Sequence, residues 1–232
     1  MARQLPDIHG KLKTVLWGET WFDVSLYLLF FSVFLAPFID SAPLRLLIMS
    51  LIMSLMMIAG VLSVSGHALM RIVAGLTACI AIVLRWLQFF IPSPELVRVG
   101  MLSVLVFLIM LNVVTLTKVF AKGRVTTHRI KGAIACYILF GMTWAILYTF
   151  LDLILPNAFS LPPGDGLLTI ERQEKLTFFS YVTLTTVGYG DILPTHDITR
   201  MFAVMQALVG QLYPATLLAR LVSLELMTRD SG

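Results

Sequence analysis

Six predominantly apolar stretches, at about 21–38, 45–64, 70–91, 97–117, 133–155 and 199–222, alternate with polar breaks along the 232 residues. A hydrocarbon layer of about 30 Å is crossed by about 20 apolar residues in a helix, so each stretch predicts a spanning helix. The breaks carry helix-ending chemistry: Pro37, Asp40 and Pro43 after the first, Ser65, Gly66 and His67 after the second, Pro92 and Pro94 after the third, and the basic run 118–131 after the fourth. The pattern predicts an all-α membrane protein with six transmembrane helices.

The fifth connection departs from this alternation. A turn-rich stretch at 156–166 leads to an apolar segment at 176–187 that is too short to span and runs into Gly188 and Gly190. It predicts a short helix at about 173–185 that enters the membrane and turns back. Non-helical backbone survives at membrane depth only where protein buries it or water reaches it, because lipid satisfies neither N–H nor C=O. A glycine-rich strand in that place predicts a pore. Glu171 and Glu174 suit the positive end of the short helix, and its negative end near Thr185 favours a cation.

Composition narrows the class. With 58% hydrophobic and 13% charged residues and a mean hydropathy of +0.90, the chain has too little polar surface for a soluble domain. Its net charge of +4 is spread among the ends of apolar runs, which excludes a nucleic-acid face. Lys118, Lys122, Arg124, Arg129 and Lys131 in the fourth connection, with Arg3, Lys11 and Lys13 near the start, place both segments on the cytoplasmic side. Both termini are then cytoplasmic, in a multi-pass protein of the plasma or inner membrane. Residues 1–20 are charged and no small-residue cleavage site follows, so the first run is kept as a helix. Cys79 and Cys136 lie inside apolar runs, and His9, His67, His128 and His196 are scattered. No catalytic or metal-ligating constellation forms, so neither an enzyme nor a cofactor is expected.

The stretch Thr183-Leu184-Thr185-Thr186-Val187-Gly188-Tyr189-Gly190-Asp191 resembles the selectivity-filter signature of potassium channels. The likeness is to the superfamily with six transmembrane helices and one pore loop, and Gln211-Leu212-Tyr213 and Ala219-Arg220-Leu221-Val222 are similar to the inner helix of its small prokaryotic members. Carbonyls that aim at one axis need alternating backbone signs, which glycine provides at least cost, hence Gly188 and Gly190. The resemblance implies that K+ is the permeant ion. Thr186, Val187, Gly188 and Tyr189 would present carbonyls to it, Thr186 its hydroxyl as well, and Gly190 would complete the filter. Thr185, Asp191, Phe178 and Phe179 would support it. One strand cannot surround an ion, so closure requires symmetry, and the family uses four subunits. The partners implied are three identical subunits and the lipid bilayer.

The chain also departs from that family. Voltage-gated relatives carry an arginine at every third position of the fourth span; here the threefold count from Arg98 meets Met101, Val104, Phe107, Met110 and Val113. No conventional voltage gating is expected. Asp23 and Arg71 fall near the cytoplasmic side and suit an ion pair, while Arg85 suits the outer interface. Phe178 and Phe179 stand where many relatives have tryptophans, one of which holds the aspartate after the last glycine, so Tyr189 and Asp191 need other partners. Leu193 occupies the outer-mouth position where some relatives have an aromatic residue that binds quaternary ammonium. In the last span Gly210, the family's hinge spacing from Gly190, is either a bend or a close-packing point, and Pro214 removes the backbone bond to the Gly210 carbonyl.

These readings divide the chain into a cytoplasmic segment 1–20, a peripheral sensor-like bundle 21–117, a basic linker 118–131, a pore domain 132–226 and a tail 227–232. The pore domain would hold an outer helix 133–155, a pore helix at about 173–185, the filter 186–190 and an inner helix 199–222. No soluble ligand-binding domain is expected in this chain. A potassium-uptake transporter would carry four fused, reduced filters, and a regulatory subunit would not require an intact one.

Overall fold

The computed structural model describes residues 21, 24–25, 27–32, 35, 38–63, 68–91, 93–121, 127–161 and 170–229. Helical residues 27–32 precede α1 (Ala42–Ser63), α2 (Ala68–Leu87), α3 (Pro94–Val119), α4 (Thr127–Ile154), α5 (Ile170–Leu184) and α6 (Asp197–Arg229). Five helices among the described residues are long and apolar enough to cross a bilayer, which leaves α5 as the short one. Of the first expected span, residues 21, 24–25 and 27–32 are helical, and Asp23, expected to pair with Arg71, lies outside the described residues.

Helix ends follow local chemistry. Ser93 is extended (φ −120°, ψ 130°) ahead of Pro94, whose missing N–H costs nothing in the first turn. Glu95 in the first turn of α3 and Lys118 in the last oppose the partial charges of the helix ends. α2 stops at Leu87 rather than at 91, because the chain ahead of Pro92 tightens into three-residue bonds from Phe89 N to Trp86 O (3.2 Å) and Phe90 N to Leu87 O (3.0 Å). α4 begins at Thr127 and α6 continues to Arg229, past the expected limits of 133 and 222. Apolar runs mark what lipid requires, whereas Arg, Lys, Glu and Leu extend a helix beyond it.

The core is continuous from the peripheral helices into α4. Met53, Met56 and Met57 of α1, Ala78 and Ala81 of α2, and Phe107, Leu108 and Leu111 of α3 share one buried cluster with Leu139, Met142 and Ile146 of α4. The flexible methionines suit the irregular space between crossing helices. Gly60 lets α1 approach α3: a Cβ there would stand 3.1 Å from the Phe107 ring. On the opposite side of α3, Leu102, Val106, Ile109 and Val113 are exposed at helical spacing, an apolar stripe suited to lipid.

A second cluster sets the height of α5. Tyr148 and Leu151 of α4, Ala158 and Phe159 of the following loop, Leu176 and Phe179 of α5, and Ile192 after the glycines are buried together. The segment leaving the glycines is tied to that loop by an antiparallel bridge between Phe159 and Pro194. Around it, Ser160 N donates to Leu193 O (2.8 Å), Thr195 N to Ala158 O (3.0 Å) and Leu193 N to Ser160 Oγ (2.8 Å). The strand 186–190 is thus held at both ends, by α5 below and by the 157–160 loop above.

Candidate functional site

α5 ends at Leu184, and each of its last four carbonyls has a partner. Tyr181 O accepts from Thr185 N (3.0 Å), Val182 O from Val187 N (3.0 Å), Thr183 O from Thr186 N (3.0 Å), and Leu184 O from the Tyr137 hydroxyl of α4 (3.1 Å). Those groups are commonly left over at a helix end. Here they draw the N–H groups of 185–187 inward, onto the helix just left.

The carbonyl side is different. φ is positive at Thr186 (59°), Gly188 (58°) and Gly190 (76°), while Val187 and Tyr189 keep negative φ. Positive and negative residues therefore alternate, which turns successive carbonyls to one side rather than to opposite sides as in a β-strand. Among the described residues, no hydrogen bond ends on the carbonyls of 186–190. Residues 185–191 are all exposed. A Cβ at Gly188 or Gly190 would meet nothing within 4 Å, so it is backbone sign and not space that requires glycine there. Thr186 adopts the same sign despite its β-branch, which its sequence does not advertise.

The two phenylalanines part company. Phe178 faces outward and stacks on Tyr189, with centroids 6.1 Å apart and planes 2° from parallel. Phe179 points into the core, edge-on to Tyr148 (5.1 Å) and Phe159 (5.3 Å). Asp191 is exposed and has no hydrogen bond or ion pair among the described residues, and Leu193 is exposed.

Behind the strand lies a polar network that the sequence reading missed. The Tyr148 hydroxyl of α4 donates to Gln206 Oε1 of α6 (2.7 Å); Gln206 Nε2 donates to Ser180 O (2.9 Å) and Ser180 Oγ (2.8 Å) of α5. Ser180 Oγ in turn donates to Gly141 O (2.7 Å). Tyr148, Ser180 and Gln206 are fully buried. An amide in the middle of an apolar span was the available signal, because a bilayer-embedded Gln requires partners.

Two ionic contacts hold the start of α5. Arg172 pairs with Asp152 of α4 through two bonds, Nε to Oδ2 and Nη2 to Oδ1 (2.8 Å). That hydrogen bonding holds the Arg172 guanidinium above its already high ordinary value. Glu174 Oε1 lies 3.3 Å from Arg45 Nε of α1. Arg85, expected at the outer interface, donates from Nε to Ser50 Oγ of α1 (3.1 Å). At the far end of the site, Gly210 is buried, and a Cβ on it would overlap the Leu184 carbonyl. α6 stays helical through both Gly210 and Pro214. In α3, Arg98 pairs with Glu95 (2.7 Å) and Asn112 donates to Thr143 Oγ1 of α4 (2.7 Å). Among the described residues, no three His, Cys, Asp or Glu side chains gather as a metal site.

Residues 173–225, from the first turn of α5 through the strand and along α6, match the Ion channel family Ion_trans_2. The chain is similar to the voltage-gated delayed rectifier potassium channel KCNH5 of Homo sapiens, 38% identical over 47 residues, which is 20% of this chain and 5% of that protein. The same figures hold for KCNH5 of Mus musculus and of Rattus norvegicus. No solved structure matches the chain. The matched family is one of channels and not of enzymes. Residues 173–225 thus match an ion-channel domain, and the five long apolar helices among the described residues support a multi-pass membrane protein.

Proposed function

We propose that this chain is one subunit of a four-fold symmetric, potassium-selective channel of the small prokaryotic type, with six transmembrane helices and a re-entrant pore loop. The observation that carries the reading is the alternation of positive φ at Thr186, Gly188 and Gly190 in a strand whose carbonyls accept no hydrogen bond among the described residues. Four such strands about one axis would replace the hydration shell of K+ with the carbonyls of Thr186, Val187, Gly188 and Tyr189 and the Thr186 hydroxyl. Phe178 and Phe179, with Thr185 and Asp191, support that filter: Phe178 by its stack on Tyr189, Phe179 by anchoring α5 in the core.

The pore domain is 132–226, and 21–117 forms the peripheral bundle, with both termini in the cytoplasm. Moving one elementary charge through 100 mV is worth about 2.3 kcal/mol. α3 is uncharged between Arg98 and Lys118, so the field supplies little of the opening energy. Gly210 and Pro214 are where α6 would bend, since Pro214 donates no bond to the Gly210 carbonyl.

Purified chain reconstituted in potassium-loaded liposomes is expected to release K+ with no added cofactor and to pass little Na+, with shallow dependence on voltage. Equal Na+ flux contradicts the selectivity, and steep voltage dependence contradicts the gating.

A further inference from the structure

The peripheral helices are fastened to the pore half of their own chain from one membrane face to the other. At one end Arg45 of α1 meets Glu174 of α5 at 3.3 Å. Midway, Asn112 of α3 donates to Thr143 of α4 (2.7 Å), with Cys136 Sγ 3.9 Å from Asn112 Oδ1. At the other end, Arg220 Nη2 of α6 donates to the carbonyls of Phe120 (2.6 Å) and Ala121 (3.0 Å), and its guanidinium lies 5.1 Å above the Phe120 ring. Between these points the buried cluster of α1, α2 and α3 continues into Leu139, Met142 and Ile146 of α4.

The connection from α3 to α4 is short. Its roughly 7 residues, 120–126, reach at most about 25 Å when fully extended. Arg220 fastens the first two of them to α6 of the same chain, which shortens that reach.

α6 is covered very differently. Its spanning part is 17% buried, as is that of α2, against 56% for α4. Met201, Val204, Met205, Leu208 and Leu212 are exposed along it, and a groove of about 280 Å³ opens between Ile198, Met201, Phe202 and Met205. Gly210 lies on the opposite side of α6, packed against the end of α5 where the strand begins.

We infer that each peripheral bundle in the tetramer packs on its own subunit's pore helices without exchange. The inference rests on the tetrameric reading above.

Cysteine cross-linking of the full chain in membranes tests it, on a Cys79→Ser, Cys136→Ala background. Two pairs are used, Asn112→Cys with Thr143→Cys and Arg45→Cys with Glu174→Cys, so that a folding defect in one leaves the other. Oxidation of the double variants is expected to give a bond within one chain, migrating as a monomer under denaturation. Co-expressed single variants of two tagged sizes are expected to give no heterodimer. A heterodimer between single variants overturns the inference, as does failure of both pairs to bond within one chain. Native mass spectrometry of the same samples separates the premise: a monomer there overturns the tetramer whatever the cross-links show.

Discussion

The Phe178 ring lies parallel to that of Tyr189, 2° apart in plane and 6.1 Å between centroids, so the side chain of the strand rests on the helix behind it. Aromatic pairs of this kind are worth about 0.5–1.5 kcal/mol beyond their buried area. Asp191 has no corresponding partner among the described residues, which leaves the stack as the main side-chain restraint on the outer strand. Phe178→Ala is expected to hasten the loss of current when external K+ is lowered, as recorded in planar bilayers. An unchanged time course would show that Tyr189 is held elsewhere.

Gln206 joins three helices through one amide. Gln206→Leu strands the Tyr148 hydroxyl and leaves the Ser180 carbonyl short of a donor, at about 1–3 kcal/mol for each unsatisfied group. At about 2–4 °C per kcal/mol for a chain of this size, thermal denaturation in detergent is expected to fall by several degrees. A midpoint unmoved by the substitution would mean that other contacts fix α5 against α6.

Gly188 and Gly210 are glycines for different reasons, and alanine tells them apart. At Gly188 the surroundings are open and φ is 58°, so Gly188→Ala costs about 1–2 kcal/mol of local strain. It is expected to abolish K+ flux while lowering the thermal midpoint by about 2–8 °C, less than the backbone overlap at Gly210 produces. At Gly210 the added Cβ meets the Leu184 backbone, so Gly210→Ala is expected to lower midpoint and flux together. A Gly210→Ala channel with an unchanged midpoint and altered opening would assign that glycine to bending rather than to packing.

What the sequence made legible follows from how far apart the interacting residues stand. Apolar length alone locates the spans of α1–α4 and α6, because lipid imposes one requirement on every residue of a span. Helix ends are less legible: the tightened turn after Leu87 depends on where the chain must go next, and the continuation of α6 to Arg229 lies beyond what lipid dictates. The signs at Gly188 and Gly190 are readable from residue type, whereas Thr186 takes a positive φ that its β-branch disfavours, held by the bond from Thr186 N to Thr183 O. Gln206 inside an apolar span signals that partners exist, but nothing in a local window identifies Tyr148 and Ser180 as those partners. The separate fates of Phe178 and Phe179 follow from a helix turning adjacent residues about 100° apart, one toward the strand and one toward the core.

Leu193 supplies an external test of the strand's orientation. It is exposed, and its N–H is fixed to Ser160 Oγ at 2.8 Å. External tetraethylammonium is expected to block weakly. Leu193→Tyr would add a cation–π contact worth about 0.5–2 kcal/mol, or about 2–30-fold in affinity. Low-micromolar block of the unsubstituted channel, or no gain with tyrosine, would move Leu193 away from the mouth.

The central claim is that the strand at Thr186 to Gly190 passes K+ in preference to Na+, and a bi-ionic reversal potential tests it most directly. With K+ on one side of a planar bilayer and an equal activity of Na+ on the other, the current is expected to reverse far from zero, at the sign that keeps K+ from flowing. Reversal at zero would contradict the account.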